Sequence, residues 1–383
     1  RLERVAAEVS PTVRVATLAA FPLLGVGGHT QPPAEPSPDG RVSRSHLCAD
    51  EVTSPHPRYQ TFTANYRKRK GCKVGAFIPR EGVPPERRLT PEQAARMPFQ
   101  LAAANCRDRD PVEGHIYMDS QAFGACQCCT QATFLTRNLE EARHLADQFL
   151  VLAPLLLALT AATPFLRGLV ADTDTRWPCF NQTWDDRQEA ELDSVCNSRC
   201  SANDLFIGAG LLADEARERA VNDVDVPVDA AAAQELRESG LDALLTRHVA
   251  HILARDPMVV VEDRLEIDDE QEADHWEQLQ GTNWGSVRLK PPPCAAAAAG
   301  GLGWRVEFRS PEVQPTDVEN AAVVAVVRLL AEVATEEQWD LTIPVSLCSA
   351  NDAASSERSA ASRGLFWFPD GGPASAPGRG PPR

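Results

Sequence analysis

The segment Gly303-Trp304-Arg305-Val306-Glu307-Phe308-Arg309 sets a charge at every second position between bulky apolar residues. Strand side chains alternate between faces, so Trp304, Val306 and Phe308 point one way and Arg305, Glu307 and Arg309 the other. With a core on the apolar side, two guanidiniums flank one carboxylate. Such a group can grip an anionic substrate or phosphate while the carboxylate holds a metal ion. The same alternation also describes a half-exposed strand with a solvated face.

Other residues offer chemistry nearby in sequence. Gln131 has a carbonyl oxygen that could ligate a hard cation beside carboxylates, or simply hydrogen-bond. Cys129 has no His, Asn or Asp partner spaced to make it a nucleophile, which favours an inert thiol. Thr282-Asn283-Trp284, followed by Arg288, Lys290 and three prolines, puts an aromatic and two cations just before the charged strand. A nucleotide fits that combination, and so does ordinary packing of the indole. His248 and His251 fall on one helix face, a weak metal signal without an intervening Glu. Gly25-Val26-Gly27-Gly28 lacks the spacing and the following Lys-Ser or Lys-Thr of a phosphate loop, so any ATP must bind on a sheet through a metal bridge.

The chain as a whole limits the function classes. Its 383 residues, 43% hydrophobic and 24% charged, are ample for a globular core. The net charge of -16 argues against a general nucleic-acid or anionic-membrane binder. The basic run from Arg58 to Lys73 is expected as an exposed loop or strand end. The eleven cysteines are too scattered for a disulfide scaffold and fit reduced thiols in the cytoplasm. The apolar run Phe149 to Leu166, broken by Pro154 and Pro164, reads as a buried helix.

These residues need elements to position them. His115 to Asp119 and Cys126 to Phe134 read as a strand pair. Asn138 should cap the helix leading into the apolar run. Residues 27–57 and 81–98 read as loops, 229–254 as one helix ending before Asp256-Pro257, and 319–334 as a helix apolar all round and therefore buried. Cys294 to Gly303 is an alanine/glycine linker, and 370–383 a disordered Pro/Gly tail.

Taken in order, the motifs resemble the catalytic subunit of eukaryotic glutamate–cysteine ligases, colinearly from about Ala6 to Phe368. They are His115-Ile116-Tyr117-Met118-Asp119, Cys128-Cys129-Thr130-Gln131, Arg176-Trp177, Asp185-Asp186-Arg187, His248-Val249-Ala250-His251 to Asp256-Pro257, Thr282-Asn283-Trp284, Lys290-Pro291-Pro292-Pro293, and Gly303 to Arg309 with Glu312-Val313-Gln314 and Thr316-Asp317. The resemblance implies an α+β fold of the glutamine-synthetase type, a curved antiparallel sheet lined inside by ligands with helices behind. It implies ATP-dependent joining of the glutamate side-chain carboxylate to the cysteine amine through an acyl phosphate, the first step of glutathione synthesis. Glu307 and Gln131 would then be magnesium ligands. Glu307 and Arg309 would be catalytic, with Arg309 also on glutamate or the transferring phosphate. Arg199 would pair with the glutamate α-carboxylate and Cys129 would line that pocket. Trp284, Arg305 and Lys290 would sit near the nucleotide. A modifier subunit is an implied partner.

The chain departs from the pattern in places. The family's Ser-Arg-Tyr stands here as Ser198-Arg199-Cys200. In the family most magnesium carboxylates lie in a Glu-x-Glu strand and a Glu-rich glycine loop N-terminal to this region. The expectation is therefore an incomplete catalytic domain over residues 1–369. The alternative is a truncated, non-catalytic paralogue that acts as a scaffold or binds a regulatory subunit.

Overall fold

The computed structural model describes residues 2–13, 16–208, 210, 212–268, 271–293 and 301–369. Seven short strands occur among them: β1 Ala76–Pro79, β2 His115–Met118, β3 Ala132–Leu135, β4 Phe165–Leu166, β5 Leu169–Val170, β6 Val287–Lys290 and β7 Arg305–Phe308. They form antiparallel sheets β1-β2, β3-β7-β6 and β4-β5, among predominantly helical elements. Residues 294–300 of the expected linker and the expected tail over 370–383 lie outside the described residues.

The three-stranded sheet carries the charged segment. Phe308 stands opposite Ala132 on one side and Val287 on the other, and Val306 opposite Phe134 and Leu289. That row faces the main core, against the Leu139–Leu159 helix. Phe149 of the helix stacks on Phe308, ring centroids 4.4 Å apart, and lies 5.4 Å from Phe134. The alternation places the next row on the opposite face: Thr133, Glu307 and Arg288 side by side across the strands.

Asn138 begins the Leu139–Leu159 helix by accepting the Glu141 N–H at 2.9 Å, and the helix runs through Pro154 as one element. Fifteen of its 21 residues are buried, although its length and hydropathy would suit a membrane. Its buried polar groups decide the matter. Arg143 reaches both carboxylate oxygens of Asp242 at 2.6 and 2.9 Å, and Asp147 accepts the N–H groups of Ile207 and Gly208 at 2.8 and 2.7 Å. They tie the helix to other segments of the protein, as expected of a core helix whose buried polar groups are paired. Replacing Asn138 with Ala should cost about 1 kcal/mol of stability, the usual effect of losing such a cap; urea unfolding of the two forms checks it.

Several local expectations are corrected. His115–Met118 pairs with Ala76–Pro79, not with the cysteine segment. Only Ala132–Leu135 of that segment is a ladder strand; Gln127 and Cys129 make isolated bridges to Ala20 and Glu312. The basic run is a helix, Pro57–Lys70, started by Pro57 and His56 and closed by Gly71 at φ 82°. Its stripe of Phe62, Thr63, Tyr66 and Lys70 is buried. Arg69 on it reaches Glu191, Asp186 and Asp256. Residues 91–98 of the expected second loop belong to a helix, Pro91–Ala103, opened by a Thr90/Gln93 capping box.

The expected helix over 229–254 is two, Ala230–Glu238 and Ala243–Leu253. They are parted at Gly240, φ 92°, and Asp242 caps the second. The Asp317–Glu336 helix buries only Val327, Ala331 and Ala334 and leaves Val318, Val326 and Leu329 exposed. An apolar sequence permits burial on every side, but only a neighbour on that side produces it.

Candidate active site

The charged face is built around Glu307, which is 5% exposed. Register places Arg288 directly opposite it, with Arg288 Nη1 3.5 Å from Glu307 Oε1. Lys290, two residues further along β6, bonds the other oxygen, Oε2. Arg309, just beyond β7, donates through Nη1 to Glu307 Oε1 at 2.8 Å and to Gln131 Oε1 at 3.2 Å. Gln131 Nε2 in turn donates to Cys129 Sγ at 3.2 Å. One guanidinium thus joins the carboxylate of β7 to the amide that precedes β3. Burial alone would raise the Glu307 pKa, but the Lys290 hydrogen bond and the charges of Arg288 and Arg309 outweigh it and hold the carboxyl below the ordinary glutamate range.

Three cations therefore converge on one carboxylate, and the face is left with an excess of positive charge. Arg305 lies on the same side but turns away, donating to the Pro291 carbonyl at 2.7 Å. The end of β7 is held from below by Arg176. Its guanidinium donates to the Arg309 and Ser310 carbonyls at 2.8 and 2.9 Å and lies 3.6 Å from the buried Glu312. Glu312 also accepts from Ala162 N at 2.7 Å and Thr163 Oγ1 at 2.9 Å. Arg176 positions the Arg309 backbone, a role that the Arg-Trp motif did not disclose because it depends on a partner more than a hundred positions along the chain.

A second group sits behind β6. Arg199, with a fully buried side chain, donates to Asp186 Oδ2 at 2.8 Å, Asp256 O at 2.9 Å and Thr282 Oγ1 at 3.2 Å. Among the described residues its Nη2 has no hydrogen-bond partner, and neither has Asp186 Oδ1. A cavity of about 80 Å³ is lined by Arg199, Arg255, Asn283 and Arg288, among others, so it links this group to the cation opposite Glu307. Trp284 N donates to the Arg199 carbonyl at 2.7 Å. The indole lies 4.8 Å from Trp184 and 5.3 Å from Phe62, ring centroid to centroid, inside an aromatic cluster.

The structure thus brings Glu307, Arg309, Gln131, Cys129 and Lys290 together, and places Arg199 beside Trp284. It does not gather Trp284, Arg305 and Lys290 into one cluster. Arg288, opposite Glu307, is the residue whose part sequence reasoning missed, because register is set by pairing. The two histidines do not form a metal pair. His251 Nδ1 bonds Pro227 O at 2.7 Å and its Nε2 lies 3.4 Å from Asp204. Desolvation, then the nearby His251 and Arg143, push the His248 pKa down to about 4, which leaves that ring neutral.

Among the described residues no group of three or more His, Cys, Asp or Glu side chains could hold a metal. Glu307 and Gln131 supply one oxygen-donor pair. Here each of those oxygens is turned to a cation, Glu307 to Arg288, Lys290 and Arg309 and Gln131 to Arg309, so a magnesium ion that takes one or two protein oxygens would have to displace these contacts.

The sheet thus has one face on the core and the other crowded with cations around a single carboxylate. The chain belongs to the glutamate–cysteine ligase family: the model of the family Glutamate-cysteine ligase matches residues 1–376. It is 38% identical over 356 residues to the glutamate–cysteine ligase catalytic subunit of Rattus norvegicus, covering 92% of this chain and 54% of that protein. With the Homo sapiens catalytic subunit it shares 37% over 364 residues, 92% of this chain and 54% of the other. With the Schizosaccharomyces pombe glutamate–cysteine ligase the figures are 39% over 364 residues, 92% and 51%. The chain spans about half the length of these curated relatives.

Proposed function

We propose that this chain carries part of the active site of an ATP-dependent ligase that joins the glutamate side-chain carboxylate to the cysteine amino group, the first step of glutathione synthesis. The three-stranded sheet would belong to a curved, glutamine-synthetase-like sheet. The observation that carries the reading is the Arg309 guanidinium shared between Glu307 and Gln131, in a chain of this family.

The chemistry explains the excess of cations. The glutamate carboxylate must attack the terminal phosphate of ATP, forming an acyl–phosphate bond as the bond to ADP breaks. The cysteine amine then attacks the acyl carbon, phosphate leaves, and the nitrogen gives its proton to solvent. In the first step two anions meet, so Arg309 and Lys290 serve by compensating negative charge where it gathers. Magnesium, when bound by Glu307 and Gln131, would screen the phosphates further. The Arg199 Nη2, an unused buried donor beside the 80 Å³ cavity, suits the glutamate α-carboxylate. Cys129 would line the glutamate pocket, and Trp284, Arg305 and Lys290 would lie toward the nucleotide.

Replacing Arg309 with Lys should lower kcat/KM about 10- to 100-fold, the loss of one charged hydrogen bond, because a point charge cannot serve two acceptors at fixed angles. Steady-state kinetics with glutamate varied checks this. A second reading is a non-catalytic relative acting as a scaffold or binding a regulatory subunit. Activity of the complete protein decides between them. Cysteine-dependent release of phosphate from ATP supports the ligase, and its absence alongside normal folding supports the scaffold.

A further inference from the structure

A second concentration of positive charge lies on the other side of the Pro57–Lys70 helix. That helix turns Phe62 and Tyr66 into the aromatic cluster with Trp184, and turns Arg67 and Lys68 toward a cavity of about 640 Å³. Arg44, His46, Lys73 and Arg107 complete the basic part of its lining. The protein has 54 acidic residues against 38 lysines and arginines. Six basic groups around one cavity therefore run against the composition of the chain.

Carboxylates do not neutralise this wall. The side chains of Lys68 and Arg107 make no ion pair or hydrogen bond within the described residues. Arg67 donates only to the backbone carbonyls of Val42 and, at 3.3 Å, Arg41. Arg44 Nε donates to Gly40 O at 3.3 Å. Lys73 alone has a carboxylate, Asp119 at 3.1 Å, which also takes the His46 N–H at 2.7 Å and the Ser45 hydroxyl. The neighbouring Asp50 is occupied by Val42 N at 3.0 Å and by Ser43 N and Oγ, both at 2.9 Å. Asp39, the acid in the lining, pairs with none of the six.

The cations also crowd one another. Burial and then Arg44 lower the Arg67 pKa against an opposing effect of Asp50, and burial and then Lys73 lower that of His46 against Asp119, with Arg107 and Arg109 adding. Arg44 itself is held at φ 54°, a backbone region that non-glycine residues adopt mainly where their surroundings impose it. Tyr117 and Leu101 supply an apolar wall beside the charges.

We propose that this cavity is an anion site for the phosphate chain of a small molecule, inorganic triphosphate or a nucleoside triphosphate. Its volume lies within the range of small-molecule pockets. It shares no lining residue with the Glu307 face, so the inference does not rest on the ligase reading.

Isothermal titration of the full chain with inorganic tripolyphosphate at low ionic strength tests it. The double variant K68E/R107E should bind at least tenfold more weakly than the parent. Both side chains are exposed and without partners, so it should melt at the parent temperature; K68A/R107A serves if it does not. The variant K290A/R309A, altered on the strand face that the ligase reading assigns to the nucleotide, should keep the binding that K68E/R107E loses. ATP binding as tightly as tripolyphosphate assigns the site to phosphate alone, and tighter ATP binding adds Tyr117 and Leu101 as a nucleoside wall; both support the proposal. Absence of binding by the parent chain overturns it. So does affinity that is lost in K290A/R309A but kept in K68E/R107E.

Discussion

Glu307→Gln should reduce ATP-dependent ligation about 100-fold or more in a form of the enzyme that turns over, the scale seen when one preorganised electrostatic group is removed. Glutamine keeps an oxygen for Arg309 but removes the charge at which Arg288, Lys290 and Arg309 converge. Those three would then repel one another, and Gln131 would be left without an anionic partner for a metal. Cysteine-dependent phosphate release measures the loss; turnover within a few-fold of the parent would refute the role of Glu307.

The same variant has a pH signature. The cations hold the folded-state pKa of Glu307 below its unfolded value, so this carboxylate adds stability above the ordinary glutamate range. That stability is lost as pH falls through the lowered folded pKa. Thermal melting followed downward from neutral pH should therefore be shallower in E307Q than in the parent.

Arg199→Ala should cost about 3–5 kcal/mol of folding stability, the usual price of breaking one side of a buried ion pair. Asp186, 1% exposed, would keep only Arg69 at 3.5 Å, and its Oδ1 already lacks a partner. Urea unfolding of R199A, D186A and the double variant gives the coupling directly. A favourable coupling of about 1–3 kcal/mol is expected for groups in one network. An R199A loss below 1 kcal/mol would show that Asp186 finds compensation elsewhere. The milder Arg199→Lys tests the functional part. If the free Nη2 takes the glutamate α-carboxylate, KM for glutamate should rise while kcat holds, since that contact is made in ground and transition states alike.

Legibility in the sequence depended on the range of the interaction. The period of two in Trp304 to Arg309 disclosed both faces of β7, and the apolar one packs on Phe149 and its neighbours. Asn138 announced its helix because a cap is a contact over three residues. In the basic run, charge density conceals Phe62 and Tyr66, which stand at helical spacing within it. The break at Gly240 was signalled by the glycine and by Asp242 two places on, but was overridden by the apolar periodicity on either side.

By itself the sequence determined the alternation of β7, the helix caps, the family, and the residue types that can meet anions. Each rests on neighbours in the chain or on motif order. Only the tertiary structure decided that Arg288 and Lys290 flank Glu307, that Arg309 bridges to Gln131, that Arg176 holds the Arg309 carbonyl, and that Arg199 is buried against Asp186. Those pairings join residues far apart in sequence. Register and packing set them, and many other pairings would satisfy the same local pattern. The outer face of the Asp317–Glu336 helix makes the same point, since its valines and leucines are exposed for want of a neighbour, not for want of hydrophobicity.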